Sequence, residues 1–190
     1  GINKYRGSVY ANAWDKLWCI DGDNAKAIPM TGVAFGLAMH KDELINSSYP
    51  GVQSINTLNN TTKLIAPSEQ EIWSLSSLND SIIMFGEEQG IRSVNSNTGL
   101  VMDVACIRLD IPKPKFTYRI LESNRHGILA AGDNGVYCIN EQLQIAELYG
   151  MQSPDEKQRI CNTQVFDVYE DAPGDWWVAT NGEGLIHIHW

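Results

Sequence analysis

No stretch of this sequence stays apolar for long enough to cross a bilayer as a helix. The longest weakly polar run, "AIPMTGVAFGLAM" from Ala27 to Met39, is interrupted by Pro29, Gly32 and Gly36. It falls short of the roughly 20 apolar residues that a spanning helix needs, and no membrane contact is expected within this segment. The start lacks a basic segment followed by an apolar one, so any secretory leader is expected to lie outside these residues. Basic residues are scarce: 14 Lys plus Arg stand against 23 Asp plus Glu, for a formal charge of −9. That balance opposes nucleic acid as a partner, because binding a phosphate backbone depends on a concentrated cationic face that releases counterions. The four cysteines, Cys19, Cys106, Cys138 and Cys161, are far apart and form no CxxC pair. This removes the usual spacing for structural zinc or a thioredoxin-like redox site. Buried free thiols are expected, with no metal and no cofactor.

Helical periodicity is equally rare. In "SEQEIWSLSSL" (68–78) Ile72, Leu75 and Leu78 recur every three residues, a short helical match that competes with a strand. In "SPDEKQRI" (153–160) Ser followed by Pro and acids predicts a single helical turn inside the longest connection. What remains is 43% hydrophobic and 19% charged, the composition of an ordinary folded globular chain with a substantial core.

Repetition dominates that remainder. "DWWVATNGEGLIHIH" (175–189) has four relatives: "SVYANAWDKLWCID" (8–21), "ELINSSYPGVQSIN" (43–56), "SIIMFGEEQGIRSVN" (81–95) and "GILAAGDNGVYCIN" (127–140). Each reads as a β-hairpin, with apolar residues, a polar turn ending in Gly, then a second strand of period two. Gly51, Gly90, Gly135 and Gly184 hold the turn position, and Lys16 replaces Gly in the first copy. Successive glycines stand 39 to 49 residues apart, room for four short strands and their turns. Apolar segments precede the hairpins as inner strands: "FGLAM" (35–39), "IWSL" (72–75), "YRIL" (118–121) and "FDVY" (166–169). Others follow as outer strands: "TKLIA" (62–66), "GLVMDVA" (99–105) and "QIAELYG" (144–150). The expected fold is all-β, a β-propeller of four-stranded antiparallel blades, with about five blades or a partial propeller. The approximate blades are 1–31, 32–67, 68–112, 113–162 and 163–190. Either Ile2–Tyr5 closes the final blade as a swapped strand, or the chain is a fragment of a longer propeller whose sheet edges could dimerise.

"VYEDAPGDWWVATNGEGLIHI" (168–188) resembles the two-component regulator propeller repeat. The matching positions are Glu170, Asp171, Gly174, Trp177, Thr180, Gly182, Gly184 and Leu185. Other copies are degenerate: 121–140 keeps Gly127, Gly132 and Gly135, while 39–56 keeps little beyond Gly51. The resemblance implies a periplasmic propeller of a hybrid two-component sensor of the Bacteroides type, where such propellers sense oligosaccharides. It also implies that a histidine kinase lies elsewhere in the full-length protein and that this region is not an enzyme.

Most of the signature also has a structural meaning. Asp171, before a Pro-Gly turn, is expected to accept hydrogen bonds from turn amides. Trp176 and Trp177 point to opposite faces of one strand, and both are expected in the packing between blades. His187 and His189 share a strand face without a third metal ligand. His40 and His126 fall in turns and read as solvated. No nucleophile motif is present. Candidate ligand contacts lie in the hairpin turns: Trp14, Asp15, Tyr49, Glu87, Glu88, Asp133, Asn134, Asn181 and Glu183. Aromatic faces stack on sugars, and carboxylates and amides bond hydroxyls. Trp14 and Tyr49 stand out, because turn conformation does not call for aromatics. The leading reading is a small-glycan sensor, with a protein-binding scaffold or a propeller glycosidase or lyase as alternatives.

Overall fold

A computed structural model describes residues 1–189. The chain divides into two compact units, 1–85 with 93–102, and 86–92 with 103–190. Among the described residues, seventeen strands form four antiparallel sheets of six, four, four and three strands.

The first sheet holds β1 (Ile2–Tyr5), β2 (Ser8–Asp21), β3 (Asn24–His40), β4 (Glu43–Ser48), β5 (Gly51–Asn56) and β6 (Thr61–Pro67), in chain order. Its long strands carry two partnerships each. The first half of β3 pairs with β2 through Trp18↔Ala27 and Ile20↔Ala25, and the second half pairs with β4 through Leu37↔Asn46 and Met39↔Leu44. Tyr5, Tyr10, Leu17 and Ile28 from one part pack with Leu37, Leu44 and Ile55 from the other, so the sheet folds over its own core.

The second sheet is β7 (Ile72–Ser77), β8 (Ile82–Glu87), β9 (Gly90–Asn95) and β10 (Val101–Asp103). The third is β11 (Thr117–Ser123), β12 (Gly127–Gly132), β13 (Gly135–Ile139) and β14 (Ile145–Tyr149). The last is β15 (Val165–Ala172), β16 (Asp175–Thr180) and β17 (Leu185–His189). The inner strands expected from sequence lie within β3, β7, β11 and β15; of the outer ones 62–66 lies within β6, while β10 covers only Val101–Asp103 of 99–105 and β14 only Ile145–Tyr149 of 144–150. The helical match at 68–78 is strand β7, because Ile72 is buried against Ile45, Val52 and Phe85. The helical turn expected near 153–160 is a 3₁₀ turn at Glu156–Gln158, whose first free amide, from Lys157, is capped by the Asp155 carboxylate at 2.9 Å.

Four of the five expected hairpins form: β4–β5, β8–β9, β12–β13 and β16–β17. Gly51, Gly90 and Gly135 take φ of 144°, 146° and 135°, a conformation closed to residues with a Cβ. At Gly135 the fourth strand also crowds in, since a Cβ would lie 2.3 Å from the Tyr149 carbonyl oxygen. The first copy is not a hairpin. Lys16 cannot supply that conformation, so the chain runs straight through as β2, with a register shift between Trp14 and Lys16. The reversal comes instead at Gly22, with φ 56°. β1 pairs with β2 through Ile2↔Ala11 and Tyr5↔Ser8.

Sheet faces pack on one another within each unit. In the first, Ile45, Val52 and Ala66 meet Ile72, Ile83, Phe85 and Val94. In the second, Leu129, Val136 and Tyr149 meet Val165, Val168, Trp176 and Val178. Trp176 is fully buried, whereas Trp177, on the opposite face, is 36% exposed and stacks on the His187 ring with centroids 4.2 Å apart. The expectation that both tryptophans are core therefore holds for Trp176 alone, because strand alternation commits one of the pair to the outer face. All four cysteines are free thiols, with Cys138 and Cys161 buried.

Trp176→Ala is expected to lower unfolding stability by about 3–5 kcal/mol. Trp177→Ala should cost about 1 kcal/mol, the worth of an exposed ring pair. Urea denaturation of both variants measures the difference.

Candidate functional site

The polar turns between the second and third strands of a sheet lie against the segment that enters its first strand. The Asp133 amide donates to the Phe116 carbonyl at 3.2 Å, and the Asn181 amide donates to the Gln164 carbonyl at 2.9 Å. Phe116 and Gln164 each precede by two residues an aromatic in the first strand, Tyr118 and Phe166. In the third and fourth sheets the turns and the strand entries thus share one end.

The nine turn candidates divide into three groups. Glu87 is buried and turned to Arg92, 3.4 Å from its guanidinium. Asn134 is buried and donates to the Tyr137 hydroxyl at 2.9 Å. Asp133, Asn181 and Glu183 are anchored but open: Asp133 accepts from the Lys115 amide, the Asn181 side-chain amide donates to Gln164, and the Glu183 carboxylate accepts from the Asn162 amide. Glu88 and Asp15 are exposed. Trp14 and Tyr49 are 73% and 62% exposed, with Trp14 lying at the register shift of β2.

The repeat motif works differently from its sequence reading. Glu170, not Asp171, holds the turn. Its carboxylate accepts from the Gly174 amide at 3.2 Å, the Ser123 hydroxyl at 2.8 Å and the Asn124 amide at 2.7 Å. One residue out of phase, Asp171 is exposed. Burial opposes ionisation of Glu170, but these donors outweigh it and hold the carboxyl below its usual range. Gly174, at φ 84°, leaves room for the Arg125 guanidinium, which a Cβ would meet at 2.6 Å. The Thr180 hydroxyl donates to the Gly184 carbonyl at 2.8 Å and closes the last turn.

His40 and His126 are not solvated turn residues. His40 is 4% exposed, with ring nitrogens 2.8 Å from the Ser77 and Ser96 hydroxyls. His126 packs edge-on against Trp176, with centroids 4.9 Å apart. Burial, aided by Lys41 beside His40 and Arg125 beside His126, pushes both imidazoles below their ordinary pKa. The Asp175 carboxylate lies 3.0 Å from His187 and 2.9 Å from His189, which keeps it below the usual carboxylate range, chiefly through His189. Among the described residues no group of three has the arrangement to hold a metal ion.

Sequence reasoning passed over the aromatics of the first strands. Phe35 and Trp73 stack with centroids 4.7 Å apart. Tyr118 meets Phe166 edge-on at 5.1 Å, with Phe116 a further 6.5 Å from Tyr118. The available signal was their recurrence in one slot of "FGL", "WSL", "YRI" and "FDV".

No family model and no curated protein matches the sequence. Among solved structures, the extracellular domain of BT4673 from B. thetaiotaomicron superposes with a TM-score of 0.77 at 13% identity, over 100% of this chain and 26% of that one. That protein is described there as a one component system. A second structure of the same domain, described as belonging to a hybrid two component system, gives 0.75 at 13% identity over the same shares. The WD40 β-propeller domain of Doa1 gives 0.72 at 14% identity, over 98% of this chain and 62% of that one. The chain has a β-propeller fold. It spans about a quarter of the length of the BT4673 structures. The sheets contribute propeller blades, and β3, β7, β11 and β15 hold the inner-strand segments expected from sequence.

Two outcomes test the assignments within the blades. Glu170→Gln should cost about 1–2 kcal/mol of stability, the worth of hydrogen bonds to a charged group, while Asp171→Asn should stay within about 0.5 kcal/mol. The unfolded chain protonates His40 near the ordinary imidazole value of about 6.5, and the folded chain resists that proton. Stability contributed by neutral His40 is therefore present above about pH 6.5 and falls as the pH drops toward the lower folded value. Urea midpoints measured between about pH 7 and pH 5 should fall, and His40→Asn should flatten the slope.

Proposed function

We propose that this chain is part of the extracytoplasmic sensing propeller of a two-component regulatory sensor. It binds a small neutral oligosaccharide at the hairpin-turn end of its blades and performs no chemistry. The observation that carries this reading is the blade architecture shared, over the whole chain, with the extracellular domain of a bacterial regulatory system. The resemblance of 168–188 to the regulator propeller repeat supports it from the sequence. No helix among the described residues is long and apolar enough to cross a membrane.

The turn end supplies the chemistry. In the first unit Trp14 and Tyr49 expose large aromatic surfaces; in the second, the Asp133 and Glu183 carboxylates are held by backbone amides and the Asn181 amide by the Gln164 side chain. Groups of either kind suit hydroxyl-rich ligands with apolar ring faces better than phosphate or sulfate, which the net charge of −9 disfavours. Signalling would follow from a difference in ligand affinity between two arrangements of the sensor, including a homodimer formed through exposed sheet edges.

Titration calorimetry against neutral and acidic oligosaccharides should give heat with a neutral glycan, and chromatography of the same mixtures should show no new products. New products would establish a hydrolase or lyase. Binding of a partner protein without any sugar would favour the scaffold reading.

A further inference from the structure

Every inner strand carries an aromatic in the same slot: Phe35 in "AFGL", Trp73 in "IWSL", Tyr118 in "TYRI" and Phe166 in "VFDV". In three of them the slot coincides with an irregularity in pairing. The register shifts between Ala34 and Leu37, between Thr117 and Arg119, and between Val165 and Asp167. A bulge inserts a residue outside the ladder and re-aims its side chain. The neighbours of these aromatics already face the core, since Thr117, Ile120, Val165 and Val168 are all buried. Phe166, by contrast, is 44% exposed. Core packing accounts for the flanking residues and leaves the exposed Phe166 unexplained.

In the second unit the slot acquires a setting. Phe116 and Tyr118 lie nearly parallel, 11° apart in plane, and Tyr118 meets Phe166 edge-on at 71°. Beside them stands the Asp133 carboxylate, tied to the Lys115 amide at 3.1 Å. At the entry to β15, the Gln164 and Asn181 side-chain amides bond at 3.3 Å. Arg119 sits 3.6 Å from Asp167, so the charge of this cation is answered locally. A ring surface bordered by a fixed carboxylate and an amide pair offers both halves of sugar recognition: a face for axial C–H groups, and acceptors and donors for hydroxyls.

We propose that Phe116, Tyr118 and Phe166 form a shelf for one pyranose ring of a neutral oligosaccharide, with Asp133 and the Gln164–Asn181 amides taking its hydroxyls. This rests on the sensing reading and locates its contact surface, whose aromatic part the turn residues chosen from sequence did not include.

The test is saturation-transfer NMR on the whole chain with cellotriose, xylotriose and mannotriose at millimolar concentration, and adenosine as the comparison probe. Irradiation of aromatic protons should reach the sugar C–H protons. Phe166→Ala and Tyr118→Ala should each weaken binding by about tenfold. Tyr118→Phe, which keeps the ring, should bind within about twofold of the parent. Tyr169→Ala, which removes an exposed aromatic from another part of the blade, should leave binding unchanged and shows that loss of any surface ring is not enough. Thermal unfolding confirms that each variant is folded. If Trp14→Ala and Tyr49→Ala abolish binding while Phe166→Ala and Tyr118→Ala bind normally, the shelf is wrong and the sensing reading stands. If none of the three sugars binds the parent chain, or only adenosine does, both fail.

Discussion

The structure depends on the packing of one sheet face against the next. A four-stranded sheet with apolar residues on both sides cannot hide them by itself. In the second unit, Leu129, Val136 and Tyr149 from one blade close over Val165, Val168, Trp176 and Val178 from its neighbour, and in the first unit Ile45 and Val52 do the same with Ile72, Ile83 and Phe85. Once faces are consumed in this way, only strand ends, turns and inner edges remain for recognition. This is why the polar turns and the re-aimed aromatics, and not the blade faces, carry the functional argument.

Close packing also explains which features survive in a degenerate repeat. Gly135 is fixed twice, by its φ of 135° and by the Tyr149 carbonyl that leaves no space for a Cβ. Gly90 has the same φ with open space around it, so conformation alone keeps it. Glu170 serves two blades at once: it closes its own turn through Gly174 and clasps the preceding blade through Ser123 and Asn124. Glu170 of the acidic pair is therefore a joint between neighbouring blades as much as a turn former.

Much of this was legible in the sequence, because a Gly at a turn and a period of two in the strand report backbone geometry directly. The hairpins at Gly51, Gly90, Gly135 and Gly184 follow from that. The first copy was misread for the complementary reason: with Lys16 in the glycine position, apolar spacing still suggests a hairpin while the backbone has no means of making one. The phase of the acidic pair was hidden because Glu170 and Asp171 are chemically alike, and only strand register decides which one faces the adjoining blade. His40 read as a turn residue, yet Ser77 and Ser96, 37 and 56 positions away, enclose it. The inner-strand aromatics were legible as a recurring slot but the exposure of Phe166 was not, since a bulge belongs to pairing between strands and leaves no mark in composition.

The bulged slot bears on how a propeller could report a bound ligand. A ligand shifts a conformational equilibrium only by the difference in its affinity for the two states, so a site confined to one rigid blade would bind without signalling. Tyr118 belongs to β11 and Phe166 to β15, the inner strands of consecutive blades, and their rings touch edge-on at 5.1 Å. A sugar ring resting on both would fit only when the two blades hold that spacing. The Glu170 clasp joins the same two blades through Ser123 and Asn124. Contact surface and joint therefore act on one relation between blades. In that arrangement, binding free energy would be spent on the blade-to-blade geometry that a sensor must vary.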